Sequence, residues 1–284
     1  MKGPVVAAVL ALGLANRVAG PLRGTCVVAA TVDEESEKRG IFDLVDRGTR
    51  ADFGINVEPT DLRVAIAQKG CISLRVTTQG VAAHGANPSL GKNAIHEMSK
   101  LINAIQTAEL PSAEIPGVGT VQGTYNVGVI EGGEMFFIVP DACSIWVDRR
   151  TLPGESQEDA LKGLESLIRR EGIDAEVSVD RQDWKWERIR KRGINSCSVD
   201  LDSRVVRSVC SSIQQELGRE PEYHLQTAWC ETDFLVNDLG IPTVNFGPGK
   251  MELAHTSEEH IEIGSLTKGI AVLARTIVEI CGGS

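Results

Sequence analysis

The sequence predicts an α/β protein whose main domain is interrupted by an inserted ferredoxin-like α+β domain. Three observations predict it. Short, continuously apolar runs lie near both chain ends, "TCVVAATV" (25–32) and "IPTVNFG" (241–247), and have the texture of strands buried on both faces. Between them, "CISLRVTTQG" alternates Ile72, Leu74 and Val76 with polar residues, as a half-exposed strand does. From Lys69 onward the elements read strand, helix, strand, strand, helix, strand, which is the ferredoxin-like order. The predicted boundaries give 1–66 and 186–284 to the outer domain and 67–185 to the insert.

Taken in order, residues 4–19 read as a helix. Pro4 suits a first turn, and the Ala/Val/Leu run suits burial on most sides. The same stretch imitates a secretory signal, with its basic start and apolar middle. The run 25–32 is then a first strand and "FGINVEP" (53–59) a second. In the insert, a helix is expected over 93–107, strands near 119–131 and 142–149, a helix over 156–171 and a strand over 175–180. After "WKWERIRKRGINS" come a helix carrying Val205, Val206, Val209 and Ile213, the strand 241–247, a loop with His255, and a closing helix to about 281.

Composition narrows the function classes. With 42% apolar residues and a mean hydropathy of −0.06, the chain can bury a core and stay in solution. A net charge of −10 without any basic block argues against nucleic acid as a partner. No stretch reads as the roughly 20 apolar residues a bilayer span needs, so no membrane is expected. The seven cysteines are odd in number, dispersed and never spaced Cys-x-x-Cys, the pattern of buried thiols in a reducing compartment. A cytoplasmic location is therefore expected, which counts against the signal-like reading of the first residues.

The chemistry-bearing residues cluster at strand ends. Glu34 and Glu35, in "VDEE", follow the first strand, and neighbours in an extended segment point opposite ways. That suits a division of labour, one carboxylate on a metal and one on water. Glu58, in "NVEPT", closes the second strand, and His255, in "GPGKMELAHTSEEH", follows the last one. Alone, each is an ordinary loop residue; together at strand ends of one domain they form a plausible set. Carboxylate plus imidazole without thiolate suits zinc, cobalt or manganese. In the insert, His84 stands between Ala and Gly before a helix, where packing does not demand an imidazole and, taken alone, a capping or solvent-facing role is the preferred reading. In "VDRRTLPGE", an arginine, Arg149 or Arg150, can clamp a substrate carboxylate or pair with an acidic neighbour. His96, His224 and His260 read as structural.

These motifs in register resemble the dinuclear metallo-hydrolases that include acetylornithine deacetylase, succinyl-diaminopimelate desuccinylase, aminoacylase and glutamate carboxypeptidase. "VDEE", "NVEPT", "AAHGANPSLGKNAI", "NVGVIEGG", "VPDACSIWVDRRTLPGE", "TDF", "GIPTVNFGPG" and "AHTSEEHIEI" carry the likeness nearly end to end. It implies a phosphorylase/hydrolase-like three-layer metallopeptidase domain with a ferredoxin-like lid that dimerises. It further implies hydrolysis of an amide in an N-acyl amino acid or dipeptide-like substrate, with two divalent metals. Glu34 would be the general base, with Glu35, Glu58 and His255 as metal ligands. His84 and Asn93 would reach across a homodimer to polarise the scissile carbonyl. Arg150, with the Gly247–Gly249 backbone, would hold the substrate carboxylate.

The sequence departs from the family pattern twice. Phe137 stands where the family usually has asparagine. The family's His-x-Asp segment and bridging aspartate would precede Met1, the aspartate directly before a stretch like Met1-Lys2-Gly3. Glu35, Glu58 and His255 alone remain of the usual ligands, so the rival expectation is a truncated, non-catalytic remnant that keeps the dimerising lid.

Overall fold

The computed structural model describes residues 1–180 and 187–282. The chain begins with α1 (Lys2–Ala19) and α2 (Arg39–Asp46), then β1 (Gly54–Asn56) and β2 (Val64–Gln68). Next come β3 (Gly70–Gln79), the short β4 (Ala83–His84), α3 (Ala94–Gln106), β5 (Ser112–Ile115) and β6 (Gly119–Gln122). β7 (Thr124–Gly132), β8 (Ile138–Val139), β9 (Ala142–Thr151), α4 (Gln157–Arg170) and β10 (Ala175–Val179) follow. α5 (Glu187–Arg192), β11 (Cys197–Ser198), α6 (Arg204–Leu217), β12 (Tyr223–Gln226), β13 (Thr243–Asn245) and α7 (Ile263–Cys281) complete the described chain. Two units result: 1–69 with 114–119 and 197–284, and 70–113 with 120–196. The boundary expected at 185/186 lies outside the described residues.

In the first unit β2 is the central strand, and all five of its residues, Val-Ala-Ile-Ala-Gln, are buried. It runs parallel to β12 and antiparallel to β11 and β13, while β1 pairs parallel with β13. A strand buried on both faces shows no alternation, which is why its first four residues are continuously apolar; the buried Gln68 at its end donates to the Cys230 carbonyl (3.3 Å). α6 carries Val205, Val206, Val209 and Ile213 into the core at helical spacing and ends on Gly218 in the left-handed conformation.

Two expectations fail in this unit. Residues 25–32 form no strand: among the described residues no strand pairs with them, and Val27 and Val32 are exposed. An apolar run becomes a strand only where a neighbour takes up its backbone groups. α1 is not buried on most sides either. Pro4, Ala7, Ala11 and Ala15 are buried, and the helix packs on α7, but Val5, Val6, Val9, Leu10, Leu14 and Val18 are exposed. One partner helix covers one stripe, and the small alanines allow close approach on that stripe. By length and composition alone α1 is also apolar enough to cross a bilayer, which the sequence reading had not anticipated.

The second unit is a four-stranded antiparallel sheet ordered β10-β3-β9-β7. α3 and α4 share one core with it, built on Ile72, Leu74, Val76, Met98, Leu101, Ile145, Val147 and Leu164. That is the ferredoxin-like arrangement the element order predicts. The helix ends follow from the sequence. Asn93 Oδ1 accepts from the N–H groups of Ile95 (3.0 Å) and His96 (3.2 Å) to start α3. Ser156 and Asp159 form a reciprocal capping box at α4, with Arg169 and Arg170 in its last turn. The other face of the sheet is polar, with Thr77 and Arg75 bonded to Ser144.

Candidate metal and catalytic centre

The acidic pair does not lie in an extended segment. Residues 34–37 form a turn flanked by Asp33 (φ 67°) and Lys38 (φ 52°), both in the left-handed region. Lys38 N–H donates to the Asp33 carbonyl (2.7 Å), closing the turn. The turn, not strand alternation, separates the two carboxylates: Glu34 is mostly covered and Glu35 is exposed. Glu35 meets His255 across the unit, Oε1 to Nε2 at 3.3 Å. His255 itself is held at φ 61°, an uncommon conformation for a side chain of its size.

Glu58 sits deeper and is buried. Burial above all, then the nearby charges of Glu34 and Glu231, pushes its carboxyl up to about 8, while the N-terminal ammonium and, more weakly, Lys38 pull the other way. Gly247 lies directly against it. A Cβ there would stand 2.7 Å from the Glu58 carbonyl oxygen, so only glycine permits the approach. The N–H groups expected to hold a substrate carboxylate already donate, Gly247 to Thr60 Oγ1 (3.2 Å) and Gly249 to Ser265 Oγ (3.4 Å).

His84, Asn93 and Arg150 belong to the other unit. His84 is exposed, and Ala86 N–H donates to its Nδ1 (3.0 Å), which leaves the neutral ring's proton on Nε2. Asn93 spends its oxygen on the α3 cap, so its amide nitrogen is the end available to a ligand. Arg150 grips Asp148 through Nε (3.0 and 3.1 Å) and Nη2 (3.0 Å), the acidic neighbour the sequence allowed for. Phe137 is exposed, edge-on to Phe136, and its carbonyl accepts from Gly85 N–H (2.7 Å).

Residues 66–176 match the model of the peptidase dimerisation domain of the M20 peptidases. Acetylornithine deacetylase of Myxococcus xanthus is 32% identical over 292 residues, covering 99% of this chain and 71% of that protein. The chain belongs to the M20 metallopeptidase family. A second relative of this M20 chain is a Bacillus subtilis deformylase of N-formyl-4-amino-5-aminomethyl-2-methylpyrimidine, 24% identical over 99% of the chain and 70% of its own length. The M20 metallo-carboxypeptidase Sso-CP2 of Sulfolobus solfataricus shares the fold, with a TM-score of 0.65 at 16% identity, covering 97% and 75% of the two chains. The chain spans 60 to 71% of the length of the first curated relatives it matches. Deacetylase, deformylase and peptidase are all hydrolases of amide bonds.

Among the described residues of this M20 chain, no three His, Cys, Asp or Glu side chains converge tightly enough to hold a metal ion. The donors nonetheless fit one in type and charge. Glu231 is buried, its Oε2 accepts from Thr31 Oγ1 (2.6 Å), and its Oε1 has no hydrogen-bond partner. Burial pushes Glu231 up as well, against the Thr31 hydrogen bond and the Lys38 charge. Three acids thus share the charge of buried Lys38 and, at Glu58, that of the N-terminal ammonium, a deficit that a divalent cation fills. Sequence reasoning missed Glu231 and Lys38. The only trace of Lys38 is its spacing four residues after Glu34.

Proposed function

We propose that this M20 chain hydrolyses the amide bond of a small N-acyl amino acid or dipeptide-like molecule, as a cytoplasmic homodimer joined through the 66–176 domain. The observation that carries this reading is the acidic set Glu34, Glu58 and Glu231 beside the Glu35–His255 pair in one unit. Divalent zinc, cobalt or manganese, two ions in the family pattern, would be held by Glu35, Glu58 and His255 and would supply Lewis-acid activation and charge stabilisation. Glu34 takes the proton of the attacking water and returns it to the leaving amine. His84, as the Nε2–H tautomer, and the Asn93 amide would reach across the homodimer and donate to the scissile carbonyl of the partner's substrate. Arg150 binds the substrate carboxylate, held in place for it by Asp148.

Glu34→Gln tests the assignment because it keeps shape and removes basicity. We expect kcat on N-acetyl amino acids to fall by roughly 10²- to 10⁴-fold, with zinc content by mass spectrometry unchanged. Turnover that survives the substitution disproves the role of Glu34. Wild-type protein that neither takes up zinc nor turns over favours a non-catalytic role.

A further inference from the structure

Lys38 is one of the largest fully buried side chains of the described residues, with no exposed surface. Its Nζ donates to Glu34 Oε1 (2.7 Å) and to the Glu34 carbonyl (2.8 Å), so one ammonium grips both the side chain and the backbone of a single residue. The same ammonium lies 4.0 Å from the centroid of the Trp229 ring. Its charge reaches Glu58 and Glu231 as well. The residue holds this place from a left-handed backbone (φ 52°, ψ 33°), which is unfavourable for a long side chain. Burying an ammonium is also costly unless it is paired. Two costs met at one position, with both hydrogen bonds of the ammonium on Glu34, identify a device built for that carboxylate and the acids around it.

We propose that Lys38 is a positioning residue of this site: its buried ammonium fixes the Glu34 carboxylate and is the built-in counter-charge of the acids Glu34, Glu58 and Glu231. The inference rests on the reading of Glu34 as general base. Freed from Lys38, the Glu34 side chain loses its anchor and the 34–37 turn loses its second tie. The acids then carry one more uncompensated negative charge.

Lys38→Met keeps the length of the side chain and its apolar stem while removing the charge, and Lys38→Arg keeps the charge. Zn²⁺ titrated calorimetrically into metal-free protein gives the first readout. The Met variant binds zinc roughly tenfold more tightly than wild type, because a repelling cation has gone, and the Arg variant stays near wild type. A merely structural role predicts the reverse, since a loosened site binds metal more weakly. Kinetics give the second: kcat of the Met variant on N-acetyl amino acids falls at least tenfold with KM within twofold, and Arg restores part of it. Equal or weaker zinc binding by a folded Met variant overturns the proposal, as does an unchanged kcat. A crystal structure of the Met variant decides the case in which wild type shows neither zinc binding nor turnover. That result sinks the amidase reading; a Glu34 carboxylate found unmoved without Lys38 sinks this one. Should Lys38→Met fail to fold, Trp229→Leu and Lys38→Arg carry the same crystallographic comparison.

Discussion

Glu58 is the residue whose chemistry is most exposed to pH. Its carboxyl is pushed up to about 8 by burial and by the charges of Glu34 and Glu231, whereas an unfolded chain leaves a glutamate near its ordinary value. Between those values the folded protein holds a proton that the unfolded chain has released. Stability of the metal-free protein therefore falls as pH rises from about 4.5 to about 8, by on the order of 3–5 kcal/mol at most. A divalent cation reverses the sign, because it favours the carboxylate. Denaturant melts at pH 5 and pH 8, with chelator and then with zinc, measure both slopes. A chelated protein equally stable at the two pH values refutes the buried, proton-holding Glu58. Lys38 belongs to the same economy of charge, and it was not readable beforehand. A lysine inside "DEESEKRG" has the composition of a solvated loop, and its place depends on partners far along the chain, such as Trp229, roughly two hundred positions away.

At the scale of elements, legibility follows how locally each one is determined. α4 announces itself through Ser156 and Asp159 at its start, Arg169 and Arg170 at its end, and an apolar stripe of Ala160, Leu164, Leu167 and Ile168 between. All of that lies within one segment. Ser156→Ala removes a cap and half of a reciprocal pair, and is expected to cost about 1 kcal/mol. Calorimetry that shows no loss would mean the capping box adds nothing beyond helix packing. β3 was legible through its alternation. β12, "YHLQ", was missed because four residues of mixed polarity become a strand only beside β2. The run 25–32 was the opposite error: strand-like in composition, yet without a neighbouring strand among the described residues. Propensity proposes a strand, and pairing decides it. The turn at 34–37 was likewise hidden, since it depends on two non-glycine residues in the left-handed region, Asp33 and Lys38, which no periodicity betrays.

At the scale of the molecule, each of the two units has a core of its own, and the candidate ligands all lie in the first. Leu164, fully buried among Leu74, Met98 and Ile145 in the second unit's core, provides the test of that division. Leu164→Ala removes several buried contacts and leaves a void, costing roughly 2–5 kcal/mol. Zinc acts elsewhere. At a free concentration a thousandfold above its Kd, a ligand that binds only the folded state adds about 4 kcal/mol. Scanning calorimetry is expected to show the alanine variant lowering the transition of the unit that holds α3 and α4, and zinc raising the transition of the unit that holds Glu58. The assignment of transitions comes from hydrogen exchange, with Leu74 and Val147 amides reporting one core and Val64 and Val244 amides the other. If zinc instead protects the amides of β3 and β9 first, then the metal-holding side chains lie outside the unit that carries Glu35, Glu58 and His255, and the ligand assignment fails at its root.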